Sequence, residues 1–460
     1  MRASNACIST DPGSYFPPVI LTIEPYMERS IPEKIQRVIG PLPGHREARA
    51  FSTFALIGGL VACGLSLYYG FRGETFMGRP MGSDFVQFYA AGKLLNQHQP
   101  ALIYDIPAFS KLQHQVVPEM SPTQMLVFGY PPVVSALFRP FALLPYRWAY
   151  CVWLVFSLAI YTSGLWLLFR SLSRASYRRT AFLLALSAPM YTLETWMGAQ
   201  LSVIGFFAVV LFLCCFERRW PLLAGLALGL ATYKPSLVAI PAAVMLLGGC
   251  WRMLAGLSVS SALMILASIA ASGVNGLWLW ILRLRVFGVY ATTNEAILRR
   301  TKYVDLNSFF TVLLGAGSLE RAIATVATSV AFLILGWNWW RSRHQATHEA
   351  QRYLWAATLT WTMMINIYVP VYDTILLVPA AALVACSLAN ADQRQQAGLQ
   401  VWLIILWLAP WLTQSWADYL RLQILTVVLA GFGYWALKLA RAAAASEVAA
   451  PREDALRDAA

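Results

Sequence analysis

Residues 51–70 read FSTFALIGGLVACGLSLYYG, an uncharged apolar run of 20 residues. At 1.5 Å per residue in a helix, that length crosses the hydrocarbon core of a bilayer. The reading extends to the whole chain. Of its 460 residues, 58% are hydrophobic and only 12% carry charge, about half the charged share of a soluble domain. So much apolar surface cannot be hidden in a water-soluble core and must face lipid. A soluble enzyme, a disordered chain and a disulfide scaffold are excluded. Further apolar runs fall at 148–169, 180–195, 199–216, 221–233, 235–250, 253–273, 321–340, 354–369, 372–388, 399–415 and 421–439. The expected fold is all-α: a polytopic integral membrane protein with about twelve transmembrane helices. Residues 1–50 form an N-terminal tail with a short helix over Ile31–Val38, 51–440 the membrane domain, and 441–460 a C-terminal tail.

The net charge of +13 sorts with the turns. Arg170, Arg174, Arg178 and Arg179 crowd one connection, and Arg218, Arg219, Arg252, Arg341, Arg343, Lys438 and Arg441 flank others. The positive-inside rule puts these in the cytoplasm together with both tails. Residues 71–147 then form the first external loop. Its apolar part, Val133–Leu144, holds Arg139 and Pro140 and reads as a juxtamembrane helix, since an arginine at mid-bilayer is costly. Residues 274–320 would also be an external loop despite Arg283, Arg285, Arg299, Arg300 and Lys302, which makes them either tolerated loop charges or an anion site. The seven cysteines have no CxxC spacing and read as small core residues. His344 and His348 are four apart but lack a third ligand, so no metal site is read there. There is no phosphate-binding loop, no HExxH and no DxD. No cofactor and no nucleic-acid partner are expected, because no basic run interleaves with aromatics.

On this topology the unusual polar residues gather at one face. They are Asp84, Gln87, Tyr89, Asp105 and Tyr130 in the first loop, Glu194 and Gln200 in one turn, Lys234 in another, and Asn366, Tyr372 and Asp373 in a third. Charged groups beside lipid are costly unless they pair or face a cavity, and several from separate turns point to a shared polar cavity. Each also has an ordinary explanation. Asp84 and Asp373 suit helix caps, and Lys234 can snorkel to the interface.

The order of short motifs resembles glycosyltransferase family 87. The residues are Ser83-Asp84-Phe85 with Tyr89 and Ala90-Ala91-Gly92, Leu102-Ile103-Tyr104-Asp105, Phe128-Gly129-Tyr130-Pro131-Pro132 with Pro140 and Leu144-Pro145, Gly198-Ala199-Gln200, Lys234-Pro235, and Tyr372-Asp373-Thr374-Ile375-Leu376-Leu377. The resemblance runs over about residues 51–440. It implies a GT-C-like membrane enzyme of the inner (plasma) membrane, with its site on the external, periplasmic side. The implied donor is a polyprenyl-phosphate hexose, mannose in the best-known members, and the acceptor a lipid or lipid-linked glycan, among membrane lipids. Transfer would be inverting, with Asp84 as general base. Lys234, Arg283, Arg285, Arg299, Arg300 and Lys302 would hold the donor phosphate. Gln87, Tyr89, Asp105, Tyr130, Glu194, Gln200, Asn366, Tyr372 and Asp373 would contact substrate. A sugar or lipid transporter or flippase is the rival reading, supported by the break at Lys234-Pro235. A glycan ligase or polymerase centred on the arginines of 274–320 is another.

Overall fold

The computed structural model describes residues 44–449 except 123, 173–174, 294–298 and 344–346. The expected Ile31–Val38 helix, Arg174, His344 and the last residues of the C-terminal tail lie outside the described residues. Among the described residues the chain is helical, with two isolated β-bridges and no extended sheet. Its α-helices are α1 His45–Phe71, α2 Phe85–Asn96, α3 Ile106–Val116, α4 Pro132–Leu137, α5 Tyr146–Leu172, α6 Ala175–Leu186, α7 Ser202–Glu217 and α8 Pro221–Gly229. Then come α9 Pro235–Leu247, α10 Trp251–Thr293, α11 Leu306–Leu314, α12 Ser318–Ser342, α13 His348–Ile365, α14 Leu377–Ser387, α15 Gln393–Leu420 and α16 Ile424–Ala449.

Six of these are long and apolar enough to cross a membrane: α1, α5, α10, α12, α15 and α16. Their outer faces carry large apolar side chains, with Phe54 79%, Val155 71% and Leu333 67% exposed. A water-soluble protein does not leave contiguous apolar faces of this size uncovered. The protein is a multi-pass membrane protein.

The expected count of twelve spans exceeds what helix length supports. The runs at 199–216, 221–233, 235–250 and 372–388 form apolar helices of 10–17 residues. The run at 180–195 splits into α6 and a π-helical turn, Met190–Met197. The run at 354–369 becomes α13, which is buried along most of its length and carries Thr358, Thr360 and Thr362 inside the protein. Buried segments such as these are solvated by protein, so the length that lipid demands does not apply to them.

Three further boundaries differ from expectation. Residues 274–293 are not loop: α10 breaks at Gly273, with φ 73° and ψ 173°, and then resumes as helix to Thr293. Residues 133–144 form only the six-residue α4 and a 3-10 turn, too short to span, as the sequence implied. Helix α16 runs on to Ala449, past the expected start of the C-terminal tail.

Two packing devices position the site. Helices α8 and α10 meet backbone to backbone through Gly225, Gly229 and Gly256. A Cβ on Gly225 would stand 1.9 Å from the Met253 carbonyl oxygen, and one on Gly256 would stand 2.1 Å from that of Leu222. Small residues allow this close approach between membrane helices. Around α5, the aromatic side chains Tyr146, Tyr150 and Trp153 pack against Phe85 and build a dense buried cluster with Phe138.

Candidate functional site

Helix α5 holds two turns in place. Tyr146 Oη donates to the Met81 carbonyl at 2.8 Å, and Tyr150 Oη donates to the Met197 carbonyl at 2.8 Å. The first turn, Gly82-Ser83-Asp84, has positive φ at Gly82 (80°) and Ser83 (42°). A left-handed Ser is strained, and such strain is held only where neighbours over-determine it. Here Phe85, the residue after Asp84, is buried in the α5 aromatic cluster and anchors the turn. The second turn, Gly198-Ala199-Gln200, has Ala199 at φ 54° and closes with Gln200 N–H donating to the Thr195 carbonyl at 2.8 Å.

These turns meet. Gln200 Nε2 donates to Asp84 Oδ2. The Asp84 side chain makes no capping bond to α2, the ordinary role weighed from sequence. Burial pushes the Asp84 carboxyl above its ordinary range. The Gln200 hydrogen bond and the charges of Lys302 and Arg79 oppose that shift, while nearby Glu194 adds to it. Glu194 also accepts from Gln414 of α15 at 3.2 Å.

A second polar group lies at the breaks after α8 and α13. Lys234 precedes a proline, which forces it out of helical geometry into φ −130°, ψ 92°. Its Nζ pairs with Asp373 Oδ2 and lies 5.0 Å from the centre of the Tyr372 ring. Asp373 is fully buried, and its other oxygen accepts from Ser202 Oγ at 2.6 Å. Tyr130 stacks on Tyr233 at 6.3 Å and is near enough to Asp84 and Asp373 to feel both charges. Tyr130 is therefore near both groups.

The sixteen residues singled out from sequence separate by this geometry. Asp84, Gln200, Glu194, Tyr130 and Lys302 come together at the first group. Lys234, Tyr372 and Asp373 form the second. Asn366 Nδ2 donates to the Ser236 carbonyl and ties the 366–373 segment to the start of α9. Gln87 is buried in the first turn of α2.

Others have structural work. Asp105 is the exposed N-cap of α3, accepting the Ala108 N–H at 2.9 Å. Tyr89 Oη donates to the Leu144 carbonyl at 2.8 Å. Arg283 donates to the Tyr104 carbonyl, and Arg285 is exposed on the same helical segment. Arg299 is exposed and pairs with Asp418 at 3.2 Å. Arg300 is buried beside Asp305 and Tyr368. Of the six cations expected to hold phosphate, Lys302 is one whose charge acts on Asp84. The sequence reading missed Arg79, Ser202, Tyr303, Asp305 and Tyr368. Asp305 and Ser308 do carry a visible Asp-x-x-Ser capping signature, but nothing in the sequence links it to the site.

His348 stacks on Phe216 at 4.8 Å, beside Glu217, which Arg352 grips at 2.5 and 2.8 Å. That pairing joins the end of α7 to the start of α13.

The family model of glycosyltransferase family 87 matches residues 128–366, over half of the chain. The matched interval contains Tyr130, Glu194, Gln200, Lys234 and Lys302, while Asp84, Tyr372 and Asp373 lie outside it. No curated protein and no solved structure gives a match.

Proposed function

Given that the chain belongs to glycosyltransferase family 87, and is thus a membrane glycosyltransferase, we propose that it transfers a hexose, mannose in the first instance, from a polyprenyl-phosphate carrier to a lipid or lipid-linked glycan. Asp84 is the general base and Lys302 the principal partner of the donor phosphate. One observation carries this reading: a half-buried carboxylate held by a buried glutamine, with a lysine close enough to bias its charge.

The chemistry balances with these groups. The acceptor hydroxyl oxygen attacks the anomeric carbon on the face opposite the phosphate. The bond from that carbon to the phosphate oxygen breaks, and its electron pair leaves with the lipid phosphate. The hydroxyl proton passes to Asp84. Lys302 and Arg79 offset the negative charge that builds on the leaving phosphate. Inversion at the anomeric carbon follows from the single displacement.

The site is on the external face of the inner (plasma) membrane in this proposal. Positive-inside charge placement supports it. Cysteines introduced at Ser110, in α3, and at Ser176, in α6, are expected to label from opposite sides with a membrane-impermeant thiol reagent. Labelling of both from one side would reject the assigned orientation.

The broken helices at Lys234 and at 366–376, with an ion pair between them, are also what a transporter would use. Proteoliposomes given a radiolabelled polyprenyl-phosphate hexose and a membrane lipid extract separate the readings. Transfer gives a new labelled glycolipid and free polyprenyl phosphate. Movement of intact donor between leaflets, with no new product, would establish transport instead.

A further inference from the structure

Lys302 sits on a short 3-10 turn, Arg300–Lys302. What holds that turn is a set of bonds to the segment that follows it. Asp305 is fully buried. Its Oδ1 accepts the Ser308 N–H at 2.9 Å, which caps α11, and its Oδ2 accepts Ser308 Oγ at 3.1 Å. The same Oδ2 accepts the Val369 N–H at 3.0 Å, from the break after α13. Beside it, Val304 N–H donates to the Val369 carbonyl at 2.9 Å, and Tyr303 pairs with Pro370 in an antiparallel bridge. Tyr303 Oη meets Tyr368 Oη at 2.6 Å. Tyr368 is in the left-handed region, at φ 66°, a costly conformation for a bulky residue. From the other side, α16 and Gln423 just before it complete the grip. Gln423 Nε2 donates to the Thr301 carbonyl at 2.7 Å and the Tyr303 carbonyl at 3.1 Å, and Thr426 Oγ1 donates to the Val304 carbonyl at 2.9 Å.

We propose that Asp305 is a positioning residue that acts through Lys302: it clamps the 300–305 turn to the 366–373 segment, so that the lysine is presented to Asp84 while Tyr372 and Asp373 are set opposite. The inference rests on the reading of Lys302 as a donor-phosphate partner. A cap for a nine-residue helix does not need a buried carboxylate, since an exposed Ser or Asn serves as well. The third bond, to Val369 across the break, is the one that capping leaves unexplained. With the Val304–Val369 bond and the Tyr303–Pro370 bridge, it joins two parts of the chain that each carry site residues, and it is the bond among these made by a buried charged side chain. Gln423 Nε2 and Thr426 Oγ1 donate to backbone carbonyls of the same stretch, and Gln423 Oε1 accepts from Thr413 Oγ1 of α15, so the arrangement fixes the path of the backbone on either side of Lys302.

The test is a double-mutant cycle on donor use by the full-length protein in proteoliposomes, with synthetic polyprenyl-phosphate mannose and glucose as the probes. Asp305→Asn keeps an oxygen for the Ser308 N–H but turns an amide NH2 toward the Val369 N–H. It is expected to raise the donor KM by about tenfold, the scale of one charge-assisted hydrogen bond, with a smaller change in kcat. Lys302→Met is expected to raise donor KM at least as much. In the double variant the Asp305 change should add less than about twofold, because its effect runs through the missing lysine. If the two effects multiply instead, or Asp305→Asn leaves donor KM unchanged, the positioning inference is wrong while the Lys302 reading survives. If Lys302→Met leaves donor KM unchanged, the Lys302 reading fails and takes the inference with it. Thr426→Val removes one bond on the opposite side of the turn with little change of volume. Should Asp305→Asn not fold, Thr426→Val and its combination with Lys302→Met give the same cycle, with an expected single effect of about threefold.

Discussion

Asp84→Asn is expected to lower sugar transfer by about 10²- to 10⁴-fold, the usual contribution of a general base, with membrane insertion and donor binding retained. Asn has nearly the size of Asp and can still accept from Gln200, so the two turns remain joined. What it cannot do is take the acceptor's proton. Had Asp84 been a helix cap, Asn would serve almost equally well; the absence of any capping bond from its side chain already disfavours that role. Near-normal transfer by the Asn variant, measured as labelled glycolipid per mole of protein, would remove Asp84 as the base.

The same residue sets a pH dependence whose sign follows from its surroundings. Burial raises the Asp84 pKa, and Lys302 and Arg79 pull it back. The base must be ionised to act. Transfer should therefore rise with pH through that raised pKa and fall as the carboxylate is protonated below it. Lys302→Met takes away one of the opposing charges, so the acidic limb of kcat should move to higher pH. A limb that stays in place in the Lys302 variant would mean that the lysine does not act on the ionisation that limits catalysis.

Lys234→Met is expected to destabilise the protein by about 3–5 kcal/mol, the cost of breaking a buried ion pair by removing one partner. The Lys234 side chain is 14% exposed and that of Asp373 0%. Removing the lysine leaves Asp373 with Ser202 as its remaining side-chain donor among the described residues. Thermal unfolding in detergent, followed by tryptophan fluorescence, measures the loss. Adding Asp373→Asn should recover part of it, because the stranded charge is gone. If Lys234→Met keeps full stability and loses only donor affinity, the lysine faces the donor phosphate, as the sequence suggested, and the ion pair is dispensable.

Much of this protein was legible in its sequence. The run at 51–70 and its successors required a helical membrane protein, because hydrophobicity over a length of about 20 residues is a local property. The break at Lys234 was equally local: a residue before proline leaves the helix wherever the chain goes next. The motif order carried the family, since order and spacing survive without coordinates. The span count was not legible. Helices α7, α8, α9 and α14 are apolar on all sides, and a sequence does not say whether an apolar face meets lipid or protein.

Partnership was the other thing only the tertiary structure decided. Six basic residues looked alike as candidates for one phosphate. Packing put Arg283 on the Tyr104 carbonyl, Arg299 on Asp418 and Lys234 on Asp373, and brought Lys302 to Asp84. Asp305 was not singled out along the sequence, because its bond to Val369 across the break after α13 exists only in the fold. Charge and helix tendency belong to single residues and short windows, and so can be read along the chain. Which opposite charge neutralises which is settled by contacts between residues more than a hundred positions apart, and only the folded chain brings those together.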